Sequence, residues 1–560
     1  MLGDRGARGK ANARRRILVI GLDGVTLDLV NPWIENLPNL KALRERGICS
    51  SLLSTYPPLT IPAWSSFMTG KSPGNHGIYE FFRRRSGSYD QVLNTFPDLR
   101  EVTLWELLSS GGKRVGVVNV PFTYPPPRLA RGFFVSGLLT PFGATDFSYP
   151  PAILKELEDR LGPYQLHHNS KRPQPVIDEL YEVLQYRLKS ALYLMREKEW
   201  DFFMVHFFGT DRVQHEFWHL CDRTHPQFAE QGFERYGNVI LEFFKRIDTA
   251  VGELVTEAGN DTSIIVMSDH GFGKITKFFN VNLWLYKLGF LKFKRSVRAR
   301  LKLALFKLGF TYLNVSQAVL MLNLTSKAME MGQEGRQEFN RKMFLSFDDV
   351  DWSRTQAYSM GNYGQIFVNL KGREPQGIVD SVEKEALLGY IEKELRRVVD
   401  PEIGTPVVDR VLRREDVYAG KRVEESPDLM FMMRDMQYKA MGWADFPSSG
   451  LFNPVVGTTG HHRVDGLLIA KSPEIIKPNA TPREARIEDL APTLLYLSRL
   501  PVPEDMDGRV LLELFQDDFR EANPVEYTAS ALTEQAPMES VYSEEEEAAL
   551  KRHLRDLGYI

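Results

Sequence analysis

The chain has 560 residues, 43% of them hydrophobic and 26% charged, which is enough for a large buried core plus an accessory region. Its formal net charge of −3 argues against wholesale nucleic-acid binding. Cys49 and Cys221 are its two cysteines, and without paired spacing they provide neither a disulfide framework nor a cysteine zinc site.

Met1 to Arg16 forms a basic tail rich in Gly, Ala and Arg. No apolar segment of signal-peptide length follows it, and no stretch reaches the length of a membrane span, so the expected location is cytoplasmic. Ile17 to Leu22 is an apolar run suited to a strand covered on both faces of a parallel sheet. Asp23 then falls at the carboxyl end of that strand, where open α/β sheets build their sites. A carboxylate capping a turn is the plain alternative. A second run of the same kind, Ser263 to Met267, also leads to an acid, Asp269, followed by His270 and Gly271. Two such strands suggest two walls of one polar site.

Pro38 to Arg46 reads as a helix ending at Gly47. Pro57, Pro58 and Pro62 hold Thr60 in an irregular turn ahead of an apolar helical stretch. A hydroxyl there serves as an ordinary N-cap or as a nucleophile placed where a helix N-terminus favours an anion. Gly70, Lys71 and Ser72 superficially resemble a P-loop, but Ser65 occupies the required upstream glycine position and no strand feeds the motif. Strands are expected at Val115 to Val120 and Phe133 to Ser136, and a packing helix at Val176 to Leu194.

A third buried strand begins at Phe202 and ends near Asp211. Asp211 and His215 are four apart, so a helical turn puts both on one face, able to grip one metal or to form a surface pair. His206, inside the apolar run, reads as a hydrogen-bonded core histidine, and His219 continues the helical face. Ile240 to Leu254 forms an amphipathic helix. From Gly271 to Met329 there is no Asp or Glu, whereas Arg295, Arg298, Arg300, Lys302, Lys307 and Lys327 are among the cations. Residues 291–345 are expected to form a helical basic insertion. It is either a solvated face or a lid that attracts anionic substrates or rests on an acidic membrane surface.

Strand patterning resumes at Ala357 to Met360, Gln365 to Leu370 and Asp428 to Met433. His461 and His462 lie in a Gly-rich loop before the strand Leu467 to Ala470, with one expected to contact an ion and the other to be its neighbour. Asp489 to Leu497 reads as a core helix. Residues 516–560 form a polar tail whose last helix, Ser543 to Leu557, carries a Ser543/Glu546 capping box.

Taken together, these blocks resemble the alkaline phosphatase superfamily, and most closely its type I phosphodiesterase/nucleotide pyrophosphatase branch, in the group of bacterial predicted phosphohydrolases and phosphomutases. The matching stretches are Gly21 to Gly24, Leu59 to Pro62 with Thr69 to Gly77, Asp211 to His215, Ser268 to Gly273, and Gly460 to Gly466, in the family's order. The resemblance implies an α/β fold with a mostly parallel central sheet flanked by helices, a catalytic domain over 17–290 and 346–515, and the insertion at 291–345. It implies Asp23, Thr60, Asp269 and His270 as ligands of one divalent ion and Asp211, His215 and His462 as ligands of a second, with the family's spacing selecting His462 over His461. Oxygen and nitrogen ligands suit Zn²⁺ or Mn²⁺.

The implied activity is hydrolysis of a phosphate monoester, diester or phosphonate, an anionic small-molecule substrate, through a phosphothreonine on Thr60. A phosphomutase or phosphotransferase shares every ligand, and a catalytically silent binding protein shares the fold. Ala63 replaces the Asn of the nucleotide pyrophosphatase nucleophile loop. The family's phosphate-contacting Asn falls near Phe81, followed by Arg83, Arg84 and Arg85. Both departures bear on nucleotide specificity. The sulfatase signature is absent, since Ser50, Ser51 and Leu52 follow Cys49.

Overall fold

Ile17, Leu18, Val19, Ile20 and Leu22 are all buried, as an apolar run must be when it lies in the middle of a covered parallel sheet. In a computed structural model of the chain, which describes residues 16–166, 173–321, 339–340, 342–472, 482–530 and 541–558, Arg16–Leu22 is the central strand. It pairs in parallel with Phe202–Phe207 on one side and Thr262–Met267 on the other. Val115–Val120 and Gly132–Ser136 extend the parallel set beyond Phe202–Phe207. The short Ser148–Tyr149 closes that edge antiparallel.

At the other edge, Asp465–Lys471 runs antiparallel between Thr262–Met267 and Ile48–Leu53. The result is an eight-stranded, mostly parallel sheet. Its flanking helices include Pro38–Glu45, Thr60–Thr69, Pro173–Glu197, Val239–Ala258 and Leu490–Leu497. The expected basic N-terminal tail lies outside the described residues apart from Arg16, as does Lys327.

Because the three central strands are parallel, their carboxyl ends share one edge of the sheet. Asp23 follows the first, the helix Gly209–Cys221 bearing Asp211 follows the second, and Asp269 follows the third. One edge therefore receives three acids from segments far apart in sequence, the crevice position expected of an open α/β sheet.

A second sheet gathers Lys277–Asn280 with strands between residues 357 and 454. It has its own core, with Phe279, Leu285, Tyr358, Leu388 and Phe431 among the buried side chains. The helices Val281–Leu288, Val297–Lys307 and Ser381–Leu395 belong to this part of the chain. A two-stranded ribbon of Gly271–Lys274 and Gly460–Arg463 sets Phe272 opposite His462, which delivers the late histidine beside Asp269 and His270. Among the described residues, no helix is long and apolar enough to cross a membrane.

Candidate active site

Thr60 is the first residue of the helix Thr60–Thr69, after Leu59 in an extended conformation, and its side chain is fully buried. The prolines shape the approach: Pro57 and Pro58 lie in the preceding loop, and Pro62 sits in the first turn, where a missing N–H is tolerated. Thr60 Oγ1 stands 3.4 Å from His270 Nε2. The same helix ends at Gly70, and Lys71 just beyond it bonds Glu101 at 2.7 Å and also contacts Asp505. The Gly70 to Ser72 stretch is thus the end of a helix held by an ion pair, the reverse of what a phosphate loop requires.

Two constellations meet at His270. In the first, His270 Nε2 lies 3.4 Å from Asp23 Oδ1 and 3.3 Å from Asp269 Oδ2. In the second, Asp211 Oδ1 lies 3.3 Å from His215 Nε2 and 3.2 Å from His462 Nε2, with the two imidazole nitrogens 3.1 Å apart. Asp23, Asp269 and His270 form one buried group whose ligand atoms lie within 4.8 Å of one another, and Asp211, His270 and His462 form another. All seven residues singled out in the sequence therefore converge, and His270 stands between the two groups.

The donor chemistry of this pocket fits cations. His215 Nδ1 contacts the Gly460 carbonyl at 2.7 Å, His462 Nδ1 the Pro58 carbonyl at 2.9 Å, and His270 Nδ1 the Gly271 carbonyl at 3.0 Å. A carbonyl only accepts, so each ring carries its proton on Nδ1, and three Nε2 lone pairs face the acids. Asp23 Oδ1 and Asp269 Oδ2 are buried without a hydrogen-bond donor among the described residues. Lone pairs and carboxylate oxygens concentrated in this way, short of protons, are what a divalent ion requires.

The electrostatics point the same way. Burial, then repulsion from Asp269 and Asp211, pushes the Asp23 carboxyl well above its usual range, and burial does the same to Asp269. For Asp211 burial works against ionisation, whereas positive charge on His215 and His462, once a proton sits at their Nε2 side, holds the carboxyl well below its usual range. Burial lowers His270 far below an ordinary imidazole and His462 to about 4.

A further layer fixes these groups. His206 Nε2 holds Asp23 Oδ2 at 2.9 Å, Trp64 Nε1 approaches the same oxygen at 3.4 Å, and Thr210 Oγ1 donates to the Asp23 carbonyl at 2.6 Å. His206 is thus the hydrogen-bonded core histidine expected from sequence, and its partner is the acid at the head of the site. Gly24 donates its N–H to Asp269 Oδ1 at 3.2 Å and adopts φ +67°, where a Cβ would stand 3.2 Å from Asp211 Oδ1. Only glycine turns the chain here without strain.

His461 points elsewhere. The backbone N–H of His462 donates to His461 Nδ1 at 2.8 Å, so the ring proton belongs on Nε2, which faces Lys439 Nζ at 2.5 Å. An uncharged amine accepts that bond, in keeping with burial lowering Lys439 to about 7. Tyr363 OH also meets His461 Nδ1, at 2.6 Å. Lys439, Tyr363 and Trp64 were not singled out in the sequence. The one available signal was Lys439, a lone cation inside an apolar strand. Near the expected phosphate-contacting position, Phe81 is buried, Arg83 reaches Asp98 at 3.2 Å, and Arg84 bonds Glu374 at 2.7 Å and Tyr358 at 2.6 Å.

The sheet edge and the buried carboxylate–imidazole cluster define an α/β protein with a buried candidate cation site, beside which the Thr60 hydroxyl lies. The model of the type I phosphodiesterase/nucleotide pyrophosphatase family matches residues 17–441, and the chain belongs to that family, hydrolases acting on phosphoric ester bonds. No curated protein matches the sequence. Among solved structures, human ectonucleotide pyrophosphatase/phosphodiesterase 5 aligns at 11% identity over 90% of this chain and 100% of its own, with a TM-score of 0.49. Phosphonoacetate hydrolase from Sinorhizobium meliloti 1021, in complex with phosphonoformate, aligns at 15% identity over 85% and 94%, with a TM-score of 0.47. An inactive murine ectonucleotide pyrophosphatase/phosphodiesterase 5 in complex with AMP aligns at 11% identity over 87% and 95%, with a TM-score of 0.45.

Proposed function

We propose that the protein hydrolyses a phosphate monoester or diester, or a phosphonate, by covalent catalysis on Thr60. The observation that carries this reading is Thr60 Oγ1 at the head of a ten-residue helix, 3.4 Å from His270 Nε2 and next to the two buried ligand groups. Asp23, Thr60, Asp269 and His270 would hold one divalent ion and Asp211, His215 and His462 a second, Zn²⁺ or Mn²⁺. When bound, such ions supply positive charge that neutralises the phosphoryl oxygens and lowers the pKa of hydroxyl groups.

The chain's own residues do the rest. Thr60 gives its hydroxyl proton to solvent and Oγ1 forms a bond to phosphorus as the bond to the leaving group breaks, at oxygen in an ester or at carbon in a phosphonate, and the leaving group takes up a proton from solvent. Water then attacks the phosphorylated Thr60, phosphate (or, from a diester, a phosphate monoester) leaves, and a proton of that water returns to Thr60 Oγ1. The N-terminal end of the helix favours the negative charge gathered at this point. His206 and Trp64 keep Asp23 in register, and the Nδ1 bonds to Gly460, Pro58 and Gly271 keep the three imidazoles turned inward. A threonine hydroxyl is a poor nucleophile without neighbouring positive charge, so Thr60 and the proposed ligand set stand or fall together.

The test is intact-mass analysis of acid-quenched protein after mixing with a reactive phosphate ester, together with Thr60→Ala. A phosphate adduct on Thr60 in the wild type, with loss of turnover and retained metal in Thr60→Ala, is the expected result. Robust turnover by Thr60→Ala would sink the covalent mechanism.

A further inference from the structure

The helix Val297–Lys307 is held to the second core by one face. Phe306 packs 6.3 Å from the Phe446 ring, Ala299 is buried, and Lys302 Nζ bonds Asp349 at 2.8 Å. Its opposite face is unlike an ordinary surface helix. At about 100° per residue, Val297, Leu301, Ala304 and Leu308 fall on one stripe. Val297 is 86% exposed, Leu301 61% and Leu308 83%.

Cations border this apolar line on both sides. Arg298 lies on one flank and Arg300 and Lys307 on the other, all exposed. No carboxylate among the described residues pairs with these three, and no Asp or Glu occurs anywhere from Gly271 to Met329.

A narrow apolar line between two rows of long cationic side chains matches one environment well. The aliphatic groups enter the acyl boundary of a bilayer while Arg and Lys reach up to anionic headgroups. A nucleic acid offers nothing to the exposed leucines, and a stable protein interface needs a broader patch with aromatic anchors. We propose that this helix docks the protein on an anionic lipid surface, with Val297, Leu301 and Leu308 inserted and Arg298, Arg300 and Lys307 at the headgroups. The proposal stands apart from the catalytic reading, because none of these residues belongs to the candidate site.

The test is co-sedimentation of the full chain with phosphatidylcholine vesicles made with and without phosphatidylglycerol. Binding to the anionic vesicles alone, weakened by salt, is expected. Each of Arg298→Gln, Arg300→Gln and Lys307→Gln should weaken it about five-fold. The pair Leu301→Asp with Leu308→Asp should abolish it, while the far-ultraviolet spectrum and turnover of a soluble phosphate ester stay unchanged. Equal binding to both vesicle types, no vesicle binding, or full binding by the aspartate pair would overturn the proposal. Retention on polyglutamate without vesicle binding would also overturn it, marking the face as a protein-docking surface.

Discussion

Replacing Asp23 by Asn should stabilise the metal-free protein and remove much of what metal adds. Asp23, Asp211 and Asp269 are all fully buried, and the Asp23 carboxyl is pushed well above its usual range by burial and by the other two acids. A raised folded pKa means that the folded chain keeps a proton which the unfolded chain releases near pH 4. The metal-free protein therefore loses about 1.4 kcal/mol of stability for each pH unit between the unfolded and folded values. The penalty is absent below pH 4 and grows as pH rises.

Asn at position 23 cannot ionise, its oxygen still accepts from His206, and its amide can donate towards the His270 Nε2 lone pair. Metal acts in the opposite sense. An ion at a thousand-fold excess over its dissociation constant stabilises the folded state by about 4 kcal/mol per site, and Asp23→Asn should lose the contribution of its site. The assay is scanning calorimetry of chelated and Zn²⁺-loaded wild type and Asp23→Asn at pH 5 and pH 8. The chelated variant should melt above the chelated wild type at pH 8, the gap should shrink at pH 5, and metal should raise the variant less. A chelated variant that melts below wild type at pH 8, or equal gains from metal, would refute the reasoning.

Other substitutions probe the surrounding layer. His206→Ala removes the 2.9 Å contact to Asp23 Oδ2 and should weaken metal affinity about 10- to 100-fold, measured by competition with a chromogenic chelator; unchanged affinity would make His206 a packing residue only. His462→Ala should cost bound metal where His461→Ala does not, because His462 Nε2 faces Asp211 at 3.2 Å while His461 faces Lys439; the opposite pattern in elemental analysis would move the ligand by one residue. Gly24→Ala places a side chain at φ +67° beside Asp211 and should cost about 1–2 kcal/mol in backbone strain. It should also lower metal content, and a variant with full stability and metal content would show the turn to be permissive.

Much of the site was legible because its acids end long apolar runs. Asp23 and Asp269 each follow a strand that must be buried on both faces, so both had to fall at the carboxyl edge of one sheet. Asp211 and His215 were readable from helical spacing as neighbours on one face, which left a surface pair open until the preceding strand was weighed. Lys439 and Tyr363 were not, because what gives them meaning is His461, which reaches them through pairing between distant segments. The second sheet was only partly legible: Ala357–Ser359, Ile366–Val368 and Leu429–Met433 fall within the stretches expected as strands, whereas Phe452–Pro454 has three residues, too few for a period of two to stand out. Val408–Arg413 escaped because its charged residues and half-exposed positions read as a loop.

The strand Asp465–Lys471 has a consequence for how the molecule is made. It lies between Ile48–Leu53 and Thr262–Met267, bonded to both, and the ribbon just ahead of it carries His462. During synthesis, both neighbours emerge long before the strand that joins them. Until residue 471 leaves the ribosome, the growing chain has two open sheet edges and lacks one of the inward-facing imidazoles. Open edges recruit strands from other chains, and pairings this distant in sequence form slowly. Closing the sheet and completing the ligand set are therefore one late event, so a chain stopped short of it would be prone to aggregate and poor at retaining metal.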